Sequence, residues 1–337
     1  MKVKEFKKDL KLHLSIAKKT FTPITEFIFI NGDEIRSTDL ETYIVSYPDI
    51  PIPFTASVPA VDLKKFLDSL DGDIELEFEK MDNYINVKYG KKAVFKLPFS
   101  TESFPELVES FSEKVSLIVF NDNIFEHFKN ALNFCSKDVS DKFNGIYITN
   151  KNIYSTNREI VYCGNYGFNI NDSFVYIPYK IGKFILDNRI DELFITNDQL
   201  RAVVYGHKIH YMKKQDVQMP DFDKIFQDVS SEDSLIINEE SSEIIEILNR
   251  CNNFEDVVNV NISNKILNIS NNRISEEINI ETITDKINFK CSVKYFIDLL
   301  SLCHNLNISR SVSGSDGGKM VGFTPNYKIV AALISLG

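Results

Sequence analysis

The chain has no tryptophan, and its 337 residues include only 13 glycines and 10 prolines. So few breakers leave most of it free to form regular elements. Long apolar runs are missing as well. Nowhere do about 18 consecutive apolar residues occur, which excludes a membrane-spanning helix. The start, Met1-Lys2-Val3-Lys4-Glu5, lacks the apolar run of a signal peptide. A cytoplasmic protein with no membrane partner is expected. Cysteine is sparse: Cys135, Cys163, Cys251, Cys291 and Cys303 are odd in number and form no CxxC. That spacing argues against a disulfide framework or a zinc site and for reduced thiols in the core. Positive charge is short too, with 38 Lys and Arg against 48 Asp and Glu, a net of −10. This sign excludes nucleic-acid binding over the whole surface but leaves room for a local basic lining.

Catalytic patterns are also lacking. Gly314-Ser315-Asp316-Gly317-Gly318-Lys319 is one residue short of a phosphate loop, and Met320 stands where Ser or Thr would hold magnesium; a hairpin loop is expected instead. His207 and His210 are three apart, so on a strand they face opposite sides and share no ion. His13, His127 and His304 are isolated within helices or at their ends, and Glu239-Glu240 and Glu276-Glu277 read as solvated charge. No catalytic residue, metal or cofactor is expected.

What is present is a threefold repeat, with three signatures recurring in the same order at intervals of roughly 115 residues. The first is an amphipathic helix. Residues 4–18 put Phe6, Leu10, Leu14 and Ala17 on one face. Residues 121–136, capped at Asn121-Asp122, do so with Ile124, Phe128, Ala131, Leu132 and Cys135, and residues 239–251 with Ile244, Ile247, Leu248 and Cys251. The second is a hairpin ending in small polar residues, at 29–39, 147–157 and 261–271. Within it Thr38, Thr156 and Ser270 are offset by 118 and 114 positions. The third is a short helix followed by a strand. Val58-Pro59, Ile177-Pro178 and Cys291-Ser292 lead into it, with proline just inside the helix start. The fold class is α+β: three tandem domains at 1–112, 113–231 and 232–337, each with two helices packed on antiparallel sheet.

In this order the motifs resemble one family across the whole chain. They are Ser37-Thr38-Asp39-Leu40-Glu41, Val58-Pro59-Ala60, Phe104-Pro105-Glu106-Leu107, Phe143-Asn144-Gly145-Ile146 and Pro220-Asp221-Phe222. The last is Ser292-Val293-Lys294-Tyr295-Phe296-Ile297-Asp298-Leu299-Leu300. The family is the bacterial DNA polymerase III β subunit, the sliding clamp, and the divergence in detail suggests a phage or mobile-element version. The resemblance implies a DNA clamp fold that forms a ring on head-to-tail dimerisation, with helices lining a pore wide enough for duplex DNA. It implies a processivity factor, not an enzyme, that tethers a polymerase and a clamp loader through short linear peptides.

A clamp needs weak, sequence-independent phosphate contacts that permit sliding. Residues 2–19 carry seven lysines against Glu5 and Asp9. The candidate DNA-facing residues are Lys4, Lys8, Lys11, Lys18, Lys19, Lys137, Lys180 and Lys183. Residues 238–253 are acidic, with four Glu against Arg250. The resemblance places Lys19 and Lys137 near the duplex, whereas Asp68 and Asp141 replace an arginine and a tyrosine of the family. It also implies a partner-peptide groove of Phe143, Thr156, Arg158, Glu159, Ile160, Val161, Pro220, Lys224, Ile225, Tyr295, Ala331 and Leu333. Val161, Ile225 and Leu333 read equally well as core. Arg158-Glu159 replaces a glycine-histidine pair, and the tail 331–337 lacks the usual proline, methionine and arginine, so the accepted motif is expected to differ. Leu107 and Leu248 are the candidate dimer-interface residues.

Three rival readings remain. One is a clamp paralogue serving phage transcription or repair. Another is a structural virion protein of triplicated domains. The third, a β-rich enzyme, would need a concave cluster of titratable groups that the pattern does not offer.

Overall fold

The computed structural model describes residues 1–17, 22–106, 116–196, 199–204, 207–212, 217–227, 233–236, 241–280, 286–303, 305–309 and 319–332. One order of elements occurs three times. The first copy opens with α1 (Val3–Ile16), then β1 (Phe27–Asn31), β2 (Glu34–Thr38), β3 (Thr42–Ser46) and β4 (Thr55–Pro59). It continues with α2 (Ala60–Asp68), β5 (Leu76–Lys80), β6 (Tyr84–Tyr89) and β7 (Ala93–Pro98).

The second copy adds a leading strand, β8 (Ser116–Val119), before α3 (Asp122–Phe134). Then come β9 (Gly145–Ile148), β10 (Asn152–Thr156), β11 (Ile160–Asn165), β12 (Val175–Pro178) and α4 (Tyr179–Asp187). It ends with β13 (Glu192–Ile195), β14 (Gln199–Val204) and β15 (His207–Met212). A short helix, α5 (Phe222–Gln227), follows.

The third copy comprises β16 (Asp233–Ile236), α6 (Ser241–Asn252), β17 (Val257–Ser263), β18 (Ile266–Ser270), β19 (Ser275–Asn279) and β20 (Lys286–Ser292). It closes with α7 (Val293–Leu302), β21 (Asn305–Ser309), β22 (Lys319–Phe323) and β23 (Tyr327–Ala332). The expected α+β architecture is what the chain adopts. Every strand pairing among the described residues is antiparallel.

The sheets run across the repeat. One eight-stranded sheet has the order β4-β1-β2-β3-β15-β14-β13-β8, and the other β12-β9-β10-β11-β23-β22-β21-β16. The strand that follows the first hairpin of one copy, β3 or β11, thus pairs with the last strand of the next, β15 or β23. Two sheets remain separate, β19-β18-β17-β20 and β5-β6-β7. Because the long sheets bind half of one copy to half of the next, the chain divides into two compact units. One spans 1–120 and 188–215, the other 121–187 and 216–337.

In the first unit, Val3, Phe6 and Leu10 of α1 and Leu63, Phe66 and Leu67 of α2 share one core with Ile28, Ile30 and Val58. Fully burying each such side chain stabilises by roughly 1.5–3 kcal/mol. The Phe66 and Phe95 rings stack at 4.2 Å. In the second unit, a further apolar layer forms where Phe222 of α5 stacks on Tyr154 at 4.8 Å and meets Tyr147 edge-on at 5.5 Å.

Details differ from expectation. Pro59 is the residue before α2, and Pro178 is the last of β12, so both sit just outside the helix they precede. A proline there satisfies the same need, since the first turn leaves its N–H groups without helical partners. The short helix α5 follows Pro220-Asp221 and lies outside the threefold pattern. His13 is far from isolated: its ring nitrogens lie 2.8 Å from Ser37 Oγ and 2.7 Å from Ser46 Oγ, tying α1 to β2 and β3. All five cysteines are buried and free, and burial pushes the Cys135 thiol up to about 12. Among the described residues no helix is long and apolar enough to cross a membrane, and no cluster of His, Cys, Asp or Glu could hold a metal. His304 and the glycine-rich stretch 314–318 lie outside the described residues.

Candidate functional site

The site grows from a turn that the repeat builds three times. After β2, the Thr38 hydroxyl accepts the Leu40 N–H at 2.9 Å, and Asp39 Oδ1 accepts the amides of Glu41 and Thr42 at 3.2 and 2.7 Å. After β10, Thr156 accepts Arg158 N–H at 2.9 Å, and Asn157 Oδ1 accepts Glu159 and Ile160 at 3.1 and 3.0 Å. After β18, Asn271 Oδ1 accepts Arg273 and Ile274 at 2.9 and 2.8 Å. Such side-chain acceptors replace the ladder where the chain reverses. The tightness forces Leu40 to φ 75° and Arg158 to φ 84°, a region that disfavours ordinary side chains. The turn therefore holds Arg158 and Glu159 out from the sheet.

Each of these two is then fixed from a different side. Arg158 Nη2 lies 3.1 Å from Asp141 Oδ1, and its guanidinium carbon lies 5.6 Å from the Phe143 ring centre. Asp141 also accepts the Phe143 amide at 3.1 Å, and that backbone bond, ahead of Arg158, holds its carboxyl below the ordinary range. Glu159 accepts the hydroxyl of Tyr295, in the first turn of α7. Tyr295 in turn accepts Asn157 Nδ2 at 3.1 Å. Burial and then Glu159 push the Tyr295 phenol up to about 12, so it stays a donor at neutral pH.

Along β11 the alternation of side chains divides the remaining candidates. Ile160 and Tyr162 face α3; Val161 and Cys163 face the layer that Phe222 completes, against which Ile225 packs. Ile160 and Ala331 stand opposite each other across the β11–β23 pairing and are both fully buried. They belong to the interior and form no part of an accessible wall. Thr156 is buried as well, its hydroxyl engaged by Arg158 N–H and donating to Ile160 O at 2.8 Å. Phe143, Arg158, Glu159, Pro220, Lys224, Ile225 and Tyr295 are each half-buried or exposed and are the groove candidates that remain accessible. Leu333 lies outside the described residues.

On α1, Lys4, Lys8 and Lys11 are exposed on the side opposite Phe6 and Leu10. Their charge is less free than a local count suggests. Lys4 meets Asp73 at 2.8 Å and Lys8 meets Asp49 at 3.7 Å, while Lys7 meets Asp68 at 3.5 Å. The hydrogen bond to Asp73 raises the Lys4 ammonium pKa. Exposed pairs of this kind are weak and screened by salt. Lys137, Lys180 and Lys183 are exposed; Lys18 and Lys19 lie outside the described residues.

The two interface candidates fare differently. Leu107 lies outside the described residues. Leu248, on the inner face of α6, is fully buried in its own chain, so it has no surface to offer a second copy. One amphipathic stripe served both readings, and packing inside its own chain, chiefly of α6 against α7, won.

In sequence the chain matches no protein-family model and no curated protein. In structure it is similar along its whole length to bacterial clamps. The Caulobacter crescentus β sliding clamp superposes with TM-score 0.84 at 14% identity, covering 100% of this chain and 98% of that one. The Pseudomonas aeruginosa DNA polymerase sliding clamp gives 0.81 at 17% identity, covering 100% and 99%. The Helicobacter pylori β clamp, solved bound to a DNA ligase peptide, gives 0.82 at 13%, again covering 100% and 99%. The chain has the fold of the bacterial DNA polymerase III β sliding clamps.

Proposed function

We propose that this protein is a DNA sliding clamp: two copies close head to tail around duplex DNA and tether a polymerase, with no catalysis of their own. The observation that carries the reading is the repeated joint between copies. β3 pairs with β15, and β11 pairs with β23, by the same antiparallel register logic. In the same scheme β19 corresponds to β3 and β11, and β7 corresponds to β15 and β23, yet each ends its own sheet. An open strand edge is a template for another strand. A second copy supplies the missing partner for each, and two such joints close six sheet junctions into a ring. The three modules then follow the boundaries 1–112, 113–231 and 232–337.

In this ring the exposed lysines of α1, with Lys137, Lys180 and Lys183, meet phosphates without reading bases. The strip around Arg158 and Ile225 receives linear peptides from polymerase and loader, using a few half-buried apolar anchors with polar edges. The test is retention on DNA. Loaded onto nicked circular DNA, the protein is expected to resist high salt and to leave once the circle is cut. Equal loss from circular and linear templates sinks the reading. A solution mass near twice 38.7 kDa is expected alongside.

A further inference from the structure

We propose that Asp49, Asp68 and Asp73 are built-in counterions that weaken the hold of α1 on the DNA backbone; this rests on reading the protein as a DNA clamp. The ground is where these carboxylates stand. Asp73 Oδ1 lies 2.8 Å from Lys4 Nζ and 3.9 Å from Lys2 Nζ. Asp68 lies 3.5 Å from Lys7, and Asp49 lies 3.7 Å from Lys8. They come from three separate segments: Asp49 from the β3–β4 loop, Asp68 from the end of α2, and Asp73 from the α2–β5 loop. The fold brings two of them to α1 by contacts of its own. The Val3 and Lys4 amides donate to Ile74 O and Gly72 O, both at 2.9 Å, which pins the Asp73 loop to the start of the helix. Leu63 and Leu67 of α2 share a core with Phe6 and Leu10, which sets the end of α2 beside Lys7.

Residues 2–16 carry five lysines, Lys2, Lys4, Lys7, Lys8 and Lys11, together with Glu5 and Asp9. The three carboxylates from outside bring the two signs level, and of these lysines only Lys11 lacks an ion pair with a described residue. Each pair adds little to stability, but neutralisation does not depend on a rigid bond. Salt screens charges over about 10 Å at 0.1 M, and these carboxylates lie well inside that distance. A phosphate therefore meets the pair and not a lone ammonium group. A lysine already matched in this way releases fewer counterions from DNA, which lowers both the affinity and its salt dependence. A ring that holds by enclosure needs contacts this weak in order to move along the duplex.

The experiment compares the parent with two triple variants of equal charge. One combines Asp49→Asn, Asp68→Asn and Asp73→Asn. The control combines Asp82→Asn, Glu102→Gln and Glu192→Gln, exposed carboxylates without an ion pair to a described residue. Anisotropy of a short fluorescent linear duplex is followed from about 50 to 200 mM NaCl, a range over which phosphate contacts weaken steeply. The first variant is expected to bind about tenfold tighter than the parent at the low end, with log Kd against log salt steeper by roughly 1–2. The control is expected to stay within about twofold of the parent, because its charges lie beyond the screening length of the α1 lysines. An unchanged salt slope in the first variant, with only its thermal unfolding shifted, gives the carboxylates a structural role and overturns the proposal. Equal tightening in both variants assigns the effect to net charge and overturns it too. In either case, retention of the parent on nicked circular DNA leaves the clamp reading standing. Equal loss of the parent from circular and linear DNA overturns that reading, and this inference with it.

Discussion

Nδ1 of His127 on α3 lies 2.7 Å from the hydroxyl of Tyr162 on β11. The imidazole is only 2% exposed, and its Nε2 has no partner among the described residues. The rings of Tyr166 and Tyr327 meet it edge-on at 6.4 and 6.3 Å. Tyr327 belongs to β23, so this histidine sits beneath the strand joint between the second and third copies. A buried polar atom left unpaired costs roughly 1–3 kcal/mol, and a charged imidazole there costs more.

Burial accordingly holds the His127 pKa below its ordinary value. The folded chain keeps this ring neutral while the unfolded chain takes up a proton near pH 6.5. Above that pH the two states bind alike. Below it the unfolded state binds more protons, so stability falls as pH falls, by up to about 1.4 kcal/mol per pH unit. Urea midpoints are expected to drop between pH 7 and pH 5, and His127→Gln is expected to flatten that slope. An unchanged slope in the variant assigns the acid sensitivity elsewhere.

Gly164 makes room for this pair. A Cβ there would stand 2.6 Å from His127 Nδ1 and 2.9 Å from the Tyr162 hydroxyl. Gly164→Ala is expected to destabilise the protein by about 1–3 kcal/mol, the usual cost of overpacking, and to reduce the pH slope with it. Thermal unfolding at pH 7.5 checks the first and at pH 5.5 the second.

Much of this architecture is legible in the chain. Thr38, Thr156 and Ser270, equated by spacing alone, pair with Tyr43, Val161 and Ser275 at the same place in three hairpins. The Asn121 cap accepts Ile124 N–H at 2.9 Å as its residue type suggests. Periodicity and turn chemistry are local, so sequence displays them. What it hides is long-range. The counterions of α1, Asp49, Asp68 and Asp73, come from outside the helix, and a count within α1 cannot see them. His13 reads as isolated because Ser37 and Ser46 reach it only through the fold. A leucine such as Leu248 looks the same in a helix stripe whether it faces its own sheet or a second subunit.

Asp298, half-buried on α7, carries a strain of the opposite sign. Burial raises its carboxyl pKa, and Lys294 offsets this only in part. The folded chain holds that proton longer than the unfolded one, so stability is lost as pH rises through the folded value. Asp298→Asn is expected to be more stable than the parent at pH 7, with the advantage fading toward about pH 3, where both states are largely protonated. Denaturant midpoints at the two pH values measure it; a variant less stable at pH 7 removes the assignment.

The proposed joint between β19 of one copy and β7 of another has a register that the internal joints supply. Tyr43 lies opposite His210, and Val161 opposite Val330. Ser275 holds the place of Tyr43 and Val161. Lys96 holds that of His210 and Val330, each being the fourth residue of its strand from the hairpin end. Ser275 then faces Lys96, and Glu277, two residues on, lies diagonal to it on the same face, within reach of a long side chain. Both are exposed in the single chain. Lys96→Glu and Glu277→Lys are each expected to weaken dimerisation about fivefold by setting like charges together. The two substitutions combined are expected to restore most of the loss, because the pair is reversed and not removed. Sedimentation of single and double variants across a dilution series decides it. A double variant weaker than either single one means that the two strands do not meet in this register.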